Sequence, residues 1–118
     1  MGIRIDQSGR KCAITCDGDV TQQQVHELRA SCIKMLINVD EVTLDLQSVA
    51  RVDLSLLQLL CSAHRSAARL NKRFTFAGTR PDILEKTAAS AGYLRQIGCS
   101  LDKDSSCLWT AHYNRRAR

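Results

Sequence analysis

Residues 42–60, VTLDLQSVARVDLSLLQLL, change their period part-way along. Val42, Leu44 and Leu46 alternate with Thr43 and Asp45, the pattern of a half-buried strand. Val49 and Val52 carry apolar content on through a loop. After Asp53-Leu54-Ser55 the spacing turns helical. Leu56, Leu60, Ala63, Ala67 and Leu70 form an apolar stripe that Leu57 and Leu59 widen. Ser55 and Gln58 stand three apart, the spacing of a capping box at a helix start. Arg65, Arg69, Lys72 and Arg73 cluster at the far end of that helix, where its dipole favours cations. A strand running through a short loop into a helix is half of a strand-helix-strand unit.

The same alternation continues on both sides. Towards the N-terminus, Ile3 and Ile5 alternate with polar residues, Ser8-Gly9 reads as a turn, and Cys12, Ile14 and Cys16 mark a second strand. The two strands are expected to form a hairpin. Asp17-Gly18-Asp19 interrupts the pattern as a turn would. Thr21 and Gln24 again have capping-box spacing, and Val25, Leu28, Cys32 and Met35 or Leu36 follow at helical intervals. That helix ends at Asn38 to Asp40.

Towards the C-terminus, Phe74-Thr75-Phe76-Ala77 is a short strand closed by Gly78. Pro81 and Asp82 suit a helix start, Ile83, Leu84, Thr87, Ala88 and Ala91 give its inner face, and Gly92 suits its end. Leu94, Ile97, Leu101, Leu108 and Trp109 supply anchors for a further short helix and an edge strand. The order is ββαβαβα and a tail. It predicts an α/β fold with a mixed sheet of about four to five strands, parallel after the first hairpin, flanked by three to four helices. Residues 1–112 read as one domain and 113–118 as a basic, frayed tail.

Composition narrows the function. The chain has 118 residues, of which 44% are hydrophobic and 25% charged, ordinary for a single globular domain. Net charge is +5, from 17 basic and 12 acidic residues. Arg115, Arg116 and Arg118 account for much of it, because without them 14 basic residues face 12 acidic ones. A nearly neutral body and 4% aromatic content argue against base-stacking nucleic-acid binding.

Cys12, Cys16, Cys32, Cys61, Cys99 and Cys107 include no Cys-x-x-Cys pair, and most read as small buried hydrophobes. Met1 to Arg10 has no apolar core of a secretory signal, and no apolar run suits a membrane span. The expected compartment is cytoplasmic, with reduced thiols.

Signatures of catalysis are thin. The chain has no GxGxxG, no phosphate-binding P-loop and no GxSxG elbow. His26, His64 and His112 fall on separate elements, and His26 and His64 read as solvent-facing. Asp45 and Asp53 are too loosely placed to argue for a shared acid–base site. One enzymatic alternative remains, a thiol- or metal-dependent site built from Cys99, Cys107 and His112. No cofactor is expected.

The segment from Val42 to Leu60 resembles the STAS domain, the fold of bacterial anti-sigma-factor antagonists. In that family a strand ending in Asp-Leu, here Asp45-Leu46, leads to an Asp-Ser-Ser/Thr-Gly-Leu type of helix opening. Here that opening is Asp53-Leu54-Ser55-Leu56-Leu57. Asp17-Gly18-Asp19-Val20-Thr21 resembles the family's Gly-Glu-Leu-Asp turn. Phe74 through Pro81 to Ala91-Gly92-Tyr93-Leu94 resembles its later strand, helix and closing Gly-Leu. The resemblance covers about residues 3 to 98.

It implies a non-enzymatic signalling module, in transcription regulation, that binds a partner kinase or anti-sigma factor. It places Ser55 at the phosphorylatable position. Thr21, Asp53, Leu54, Ser55, Leu56 and Leu57 become the candidate partner contacts, with no nucleic acid and no membrane insertion. Two departures stand out: Leu56 replaces the family's Gly, and Thr21 replaces the Asp of the turn. They favour a second implication, an accessory subunit docking without phosphorylation on an ATPase of phospholipid-transport ABC type, or on a stressosome or chemotaxis complex.

Overall fold

The computed structural model describes residues 2–78 and 80–93. Within them the chain runs β1 (Gly2–Ser8), β2 (Lys11–Val20), α1 (Gln22–Asn38), β3 (Glu41–Val52), α2 (Leu54–Arg69), β4 (Arg73–Phe76) and α3 (Asp82–Ser90). This is the order expected from the alternation of periods. The strands form one sheet in the order β1-β2-β3-β4. β1 and β2 are an antiparallel hairpin, while β2–β3 and β3–β4 are parallel, joined across α1 and α2.

One face of the sheet is apolar because the strand period is two. Cys12 and Ile14 of β2 pair with Val42 and Leu44 of β3, Cys16 and Leu46 extend the two buried rows, and Phe74 and Phe76 of β4 complete the layer. Against it pack Leu28, Cys32, Met35 and Leu36 of α1, the Leu56, Leu57, Leu60 and Ala63 stripe of α2, and Leu84 and Ala88 of α3. Burial pushes the Cys16 and Cys32 thiols up to about 12, so both remain protonated core residues. Of the other cysteines, Cys12 is buried and Cys61 half-buried, while Cys99 and Cys107 lie outside the described residues. The same is true of His112, of the anchors from Leu94 to Trp109, and of the 113–118 tail.

Three local expectations are corrected. Asp17-Gly18-Asp19 is not a turn. β2 continues through it to Val20, and β3 continues past Leu46 to Val52, paired Asp17↔Ser48, Gly18↔Val49, Asp19↔Arg51 and Val20↔Val52. The ladder shifts register between Thr15 and Asp17 and between Gly18 and Asp19. Gly18 takes φ +73°, which allows the strand to kink and stay paired. The polar Asp-Gly-Asp stretch is therefore a bulge in a strand.

His64 faces the interior, with 5% of its surface exposed, although its neighbours on α2 made that face look polar. His26 is exposed as expected.

The third correction concerns charge at the ends of helices. The Lys72 backbone N–H closes α2 by donating to the Ala67 carbonyl at 2.7 Å, but its side chain does not serve that helix. Its ammonium reaches across to α1 and donates to the carbonyls of Leu36 and, at 3.1 Å, Ile37. The last turn of α1 carries no basic residue of its own, so this distant lysine satisfies its terminal carbonyls. At the end of α3, Gly92 has φ +76° and closes the helix as its position suggested.

Candidate docking site

The site follows from the sheet register. β2 and β3 are parallel and paired to their last residues, Val20 opposite Val52. The residues that follow, Thr21 and Asp53, therefore emerge side by side at one end of the sheet. Each begins a helix. Two helix N-termini, with their unpaired N–H groups and partial positive charge, are thus brought together at the C-terminal ends of adjacent parallel strands.

Both ends are satisfied by side chains from this pair of junctions. Thr21 starts α1, and Gln24 Oε1 accepts from the Thr21 backbone N–H at 3.2 Å and from its hydroxyl at 2.6 Å. The capping box read from Thr21 and Gln24 is present. Asp53 starts α2, with extended backbone at φ −138° and ψ −175°. Its Oδ1 accepts from the Ser55 backbone N–H at 3.0 Å and also from the Ser55 hydroxyl. Its Oδ2 accepts from the backbone N–H of Gln22, in the first turn of α1, at 2.9 Å. One carboxylate therefore caps both helices.

The N-cap of α2 is accordingly Asp53. The Ser55–Gln58 spacing does not form the cap, because the helix already begins at Leu54 and Ser55 lies in its first turn. The signal was available in Asp53, a preferred capping residue two positions before Ser55. Its second role, across to Gln22, depends on the β2–β3 register and leaves no trace in local spacing.

Burial of Asp53 opposes its ionisation. The hydrogen bonds from the Ser55 hydroxyl and from the Gln22, Ser55 and Leu56 backbone N–H groups outweigh that effect and hold its carboxyl below the usual carboxylate range. Asp53 is therefore charged at neutral pH. Asp45 has a separate use: its Oδ1 accepts from the Gln47 backbone N–H at 2.9 Å.

The candidate contact residues divide. Leu54 is 48% exposed, and Thr21, Asp53 and Ser55 are half-buried at the surface. Leu56 and Leu57 are 0% exposed and belong to the core. They offer no contact area to a partner in this conformation. The helix stripe requires this, because Leu56, Leu60, Ala63 and Ala67 share the inward face and Leu57 flanks it. The accessible site is thus Thr21, Gln22, Asp53, Leu54 and Ser55. Among the described residues no three His, Cys, Asp or Glu side chains gather as metal ligands. No described helix is long and apolar enough to cross a membrane.

Residues 3–95 match the family described as Mlab, STAS domain. The chain belongs to this STAS family. No curated protein sequence matches it. Among solved structures, the phosphorylated form of the Bacillus cell fate determinant SpoIIAA is similar with TM-score 0.63 at 14% identity, over 78% of this chain and 85% of that one. An anti-sigma factor antagonist from Mycobacterium paratuberculosis gives TM-score 0.65 at 11% identity, over 77% of each chain. The murine anion transporter Solute Carrier 26 family member A9 gives 0.61 at 14% identity, covering 94% of this chain and 18% of that one. At these identities the likeness concerns the fold. The STAS fold is thus found both as a small separate protein and within a larger transporter.

Proposed function

We propose that this STAS domain is a non-enzymatic, cytoplasmic docking module whose partner protein binds at the paired helix starts, over Thr21, Gln22, Asp53, Leu54 and Ser55. Phosphorylation of Ser55 by a cognate kinase of anti-sigma-factor type switches that binding off. The observation that carries the reading is the placement of Ser55: a hydroxyl at the start of α2, beside an exposed Leu54 and bonded to the carboxylate that caps both helices.

The geometry gives the switch a physical basis. A phosphate ester cannot donate the hydrogen bond that the Ser55 hydroxyl now gives to Asp53. It adds about −1.5 to −2 charge next to an ionised carboxylate. The helix N-terminus accommodates negative charge, so the domain tolerates the group. Asp53 is pushed from Ser55 while still holding Gln22, and the surface changes in charge and in the alignment of α1 with α2. A partner fitted to the neutral surface meets repulsion and desolvation cost.

Incubation with the cognate kinase and ATP tests the site. Wild type is labelled and Ser55→Ala is not. Labelling that persists in Ser55→Ala removes the assignment.

A second reading uses the same face without the phosphate. Here the chain is an accessory subunit docked on an ATPase of a phospholipid-transport ABC system. The match to the Mlab, STAS domain family favours it. The two readings separate on one variant: Ser55→Asp weakens binding under the first and leaves it unchanged under the second.

A further inference from the structure

Within the described residues β1 is an edge strand with unusual properties for an edge. Among the described residues it pairs only with β2, over all seven residues and without a bulge. The opposite edge, β4, is four residues long. Natural sheets usually blunt a long edge with lysine, proline, a bulge or a covering element. β1, GIRIDQS, contains no lysine or proline, its two charges, Arg4 and Asp6, are of opposite sign, and Ile5 on it is 41% exposed.

The hairpin fixes which backbone groups this edge presents. Ser8 and Lys11 flank the two-residue loop Gly9-Arg10, with Gly9 at φ +60°. A two-residue loop makes its flanking residues a hydrogen-bonded pair, and such pairs alternate along an antiparallel ladder. Ser8, Asp6, Arg4 and Gly2 therefore direct their N–H and C=O groups to β2. Ile3, Ile5 and Gln7 direct theirs outwards. Ile5 lies opposite Ile14 on the apolar face of the sheet, and Arg4 and Asp6 lie opposite Thr15 and Ala13 on the other face.

We infer that this edge pairs with β1 of a second copy of the chain, antiparallel about a two-fold axis at Ile5, to give a continuous eight-stranded sheet. The register is selected by charge. Centring on Ile5 places Ile3 opposite Gln7 and Ile5 opposite Ile5 of the second copy, so all outward backbone groups of these residues find partners. It also places Arg4 opposite Asp6 of the second copy, twice by symmetry. Within one chain Arg4 Nε already lies 3.1 Å from Asp6 Oδ2, both side chains largely exposed. The dimer would join these pairs into an alternating cluster of four charges. Centring one residue earlier or later sets Arg4 against Arg4 or Asp6 against Asp6, which cross-strand repulsion disfavours. The exposed Ile5 gains an apolar partner on the other face. Main-chain hydrogen bonds supply the attraction and the side chains supply the register.

Sedimentation of the full chain over a concentration series tests this. Wild type is expected to pass from monomer to dimer. Ile5→Pro removes an outward N–H without touching the β2 ladder, so it should be monomeric throughout. Arg4→Asp and Asp6→Arg should each weaken dimerisation about tenfold or more, since two opposite-charge pairs become like-charge pairs. The double exchange Arg4→Asp with Asp6→Arg should restore it. The charge variants are exposed, so they keep the test decisive if Ile5→Pro folds poorly. A wild type that stays monomeric overturns the inference, as it would if another segment of the same chain occupies the edge. A dimer that survives every single variant also overturns it, as does a double exchange that fails to restore pairing.

Discussion

Asp53 Oδ2 accepts the backbone N–H of Gln22 at 2.9 Å, so the first turn of α1 is held by the residue that begins α2. The same carboxylate holds Ser55 through its N–H and hydroxyl. The tie exists because β2 and β3 are parallel and stay paired, through two register shifts, to Val20 and Val52. It makes the surface around Ser55 a single unit, in which a change at one helix start reaches the other.

Removing the shared cap should cost more than removing an ordinary one. Loss of a capping side chain typically costs about 1 kcal/mol. Asp53→Ala leaves donors of two helices unmet and is expected to destabilise the domain by about 2 kcal/mol in urea unfolding. Asp53→Asn keeps one side-chain oxygen and should lose roughly half as much. Equal stability of Asp53→Ala and wild type would show that the bridge contributes nothing.

The charge on Asp53 sets a pH dependence of definite sign. Its folded-state pKa lies below the ordinary value, so its stabilisation is fully present above the unfolded carboxylate value of about 3.9. It is lost as pH falls through the lower folded value. The stability gap between wild type and Asp53→Asn should therefore be widest at neutral pH and shrink in acid. A gap that stays constant across the acid range contradicts this assignment.

Lys72 offers a test far from the site. Its ammonium satisfies carbonyls of Leu36 and Ile37 at the end of α1. Lys72→Met should cost about 0.5–1.5 kcal/mol, the scale of one such hydrogen bond. Amide hydrogen exchange should rise in the last turn of α1 and remain unchanged in α3. Unchanged protection of Met35 to Asn38 would remove the capping role.

Leu54 and Leu56 should separate stability from binding. Leu56 is fully buried, and Leu56→Ala is expected to cost about 2–5 kcal/mol. Leu54 is exposed, and Leu54→Ala should change stability by less than about 0.5 kcal/mol while weakening the partner complex. Thermal unfolding and a binding titration on the same two proteins check both halves.

The order of elements was legible because period two and period 3.6 alternate cleanly along the chain. Cys12, Ile14 and Cys16, then Val42, Leu44 and Leu46, announce strands that the sheet pairs with one another. What was not legible depends on contacts distant in sequence. Asp17-Gly18-Asp19 has turn composition, yet β3 is long enough to hold it as a bulge. Ser55 has capping-box spacing, yet Asp53 caps first. Lys72 sits just past α2, and its use by α1 follows from how the two helices lie side by side. The burial of Leu56 and Leu57, by contrast, was legible in the helical stripe; it was the family resemblance, and not that spacing, that offered them as partner contacts.

The central claim is that a partner docks on the paired helix starts and that charge at Ser55 controls it. The most direct measurement is the affinity of the isolated partner for four full-length proteins: wild type, Ser55→Ala, Ser55→Asp and Leu54→Asp. Wild type and Ser55→Ala should bind alike, while Ser55→Asp and Leu54→Asp should each bind about tenfold more weakly or worse, consistent with the loss expected on truncating or charging an interface residue. Ser55→Asp and Leu54→Asp that bind as tightly as wild type would contradict it.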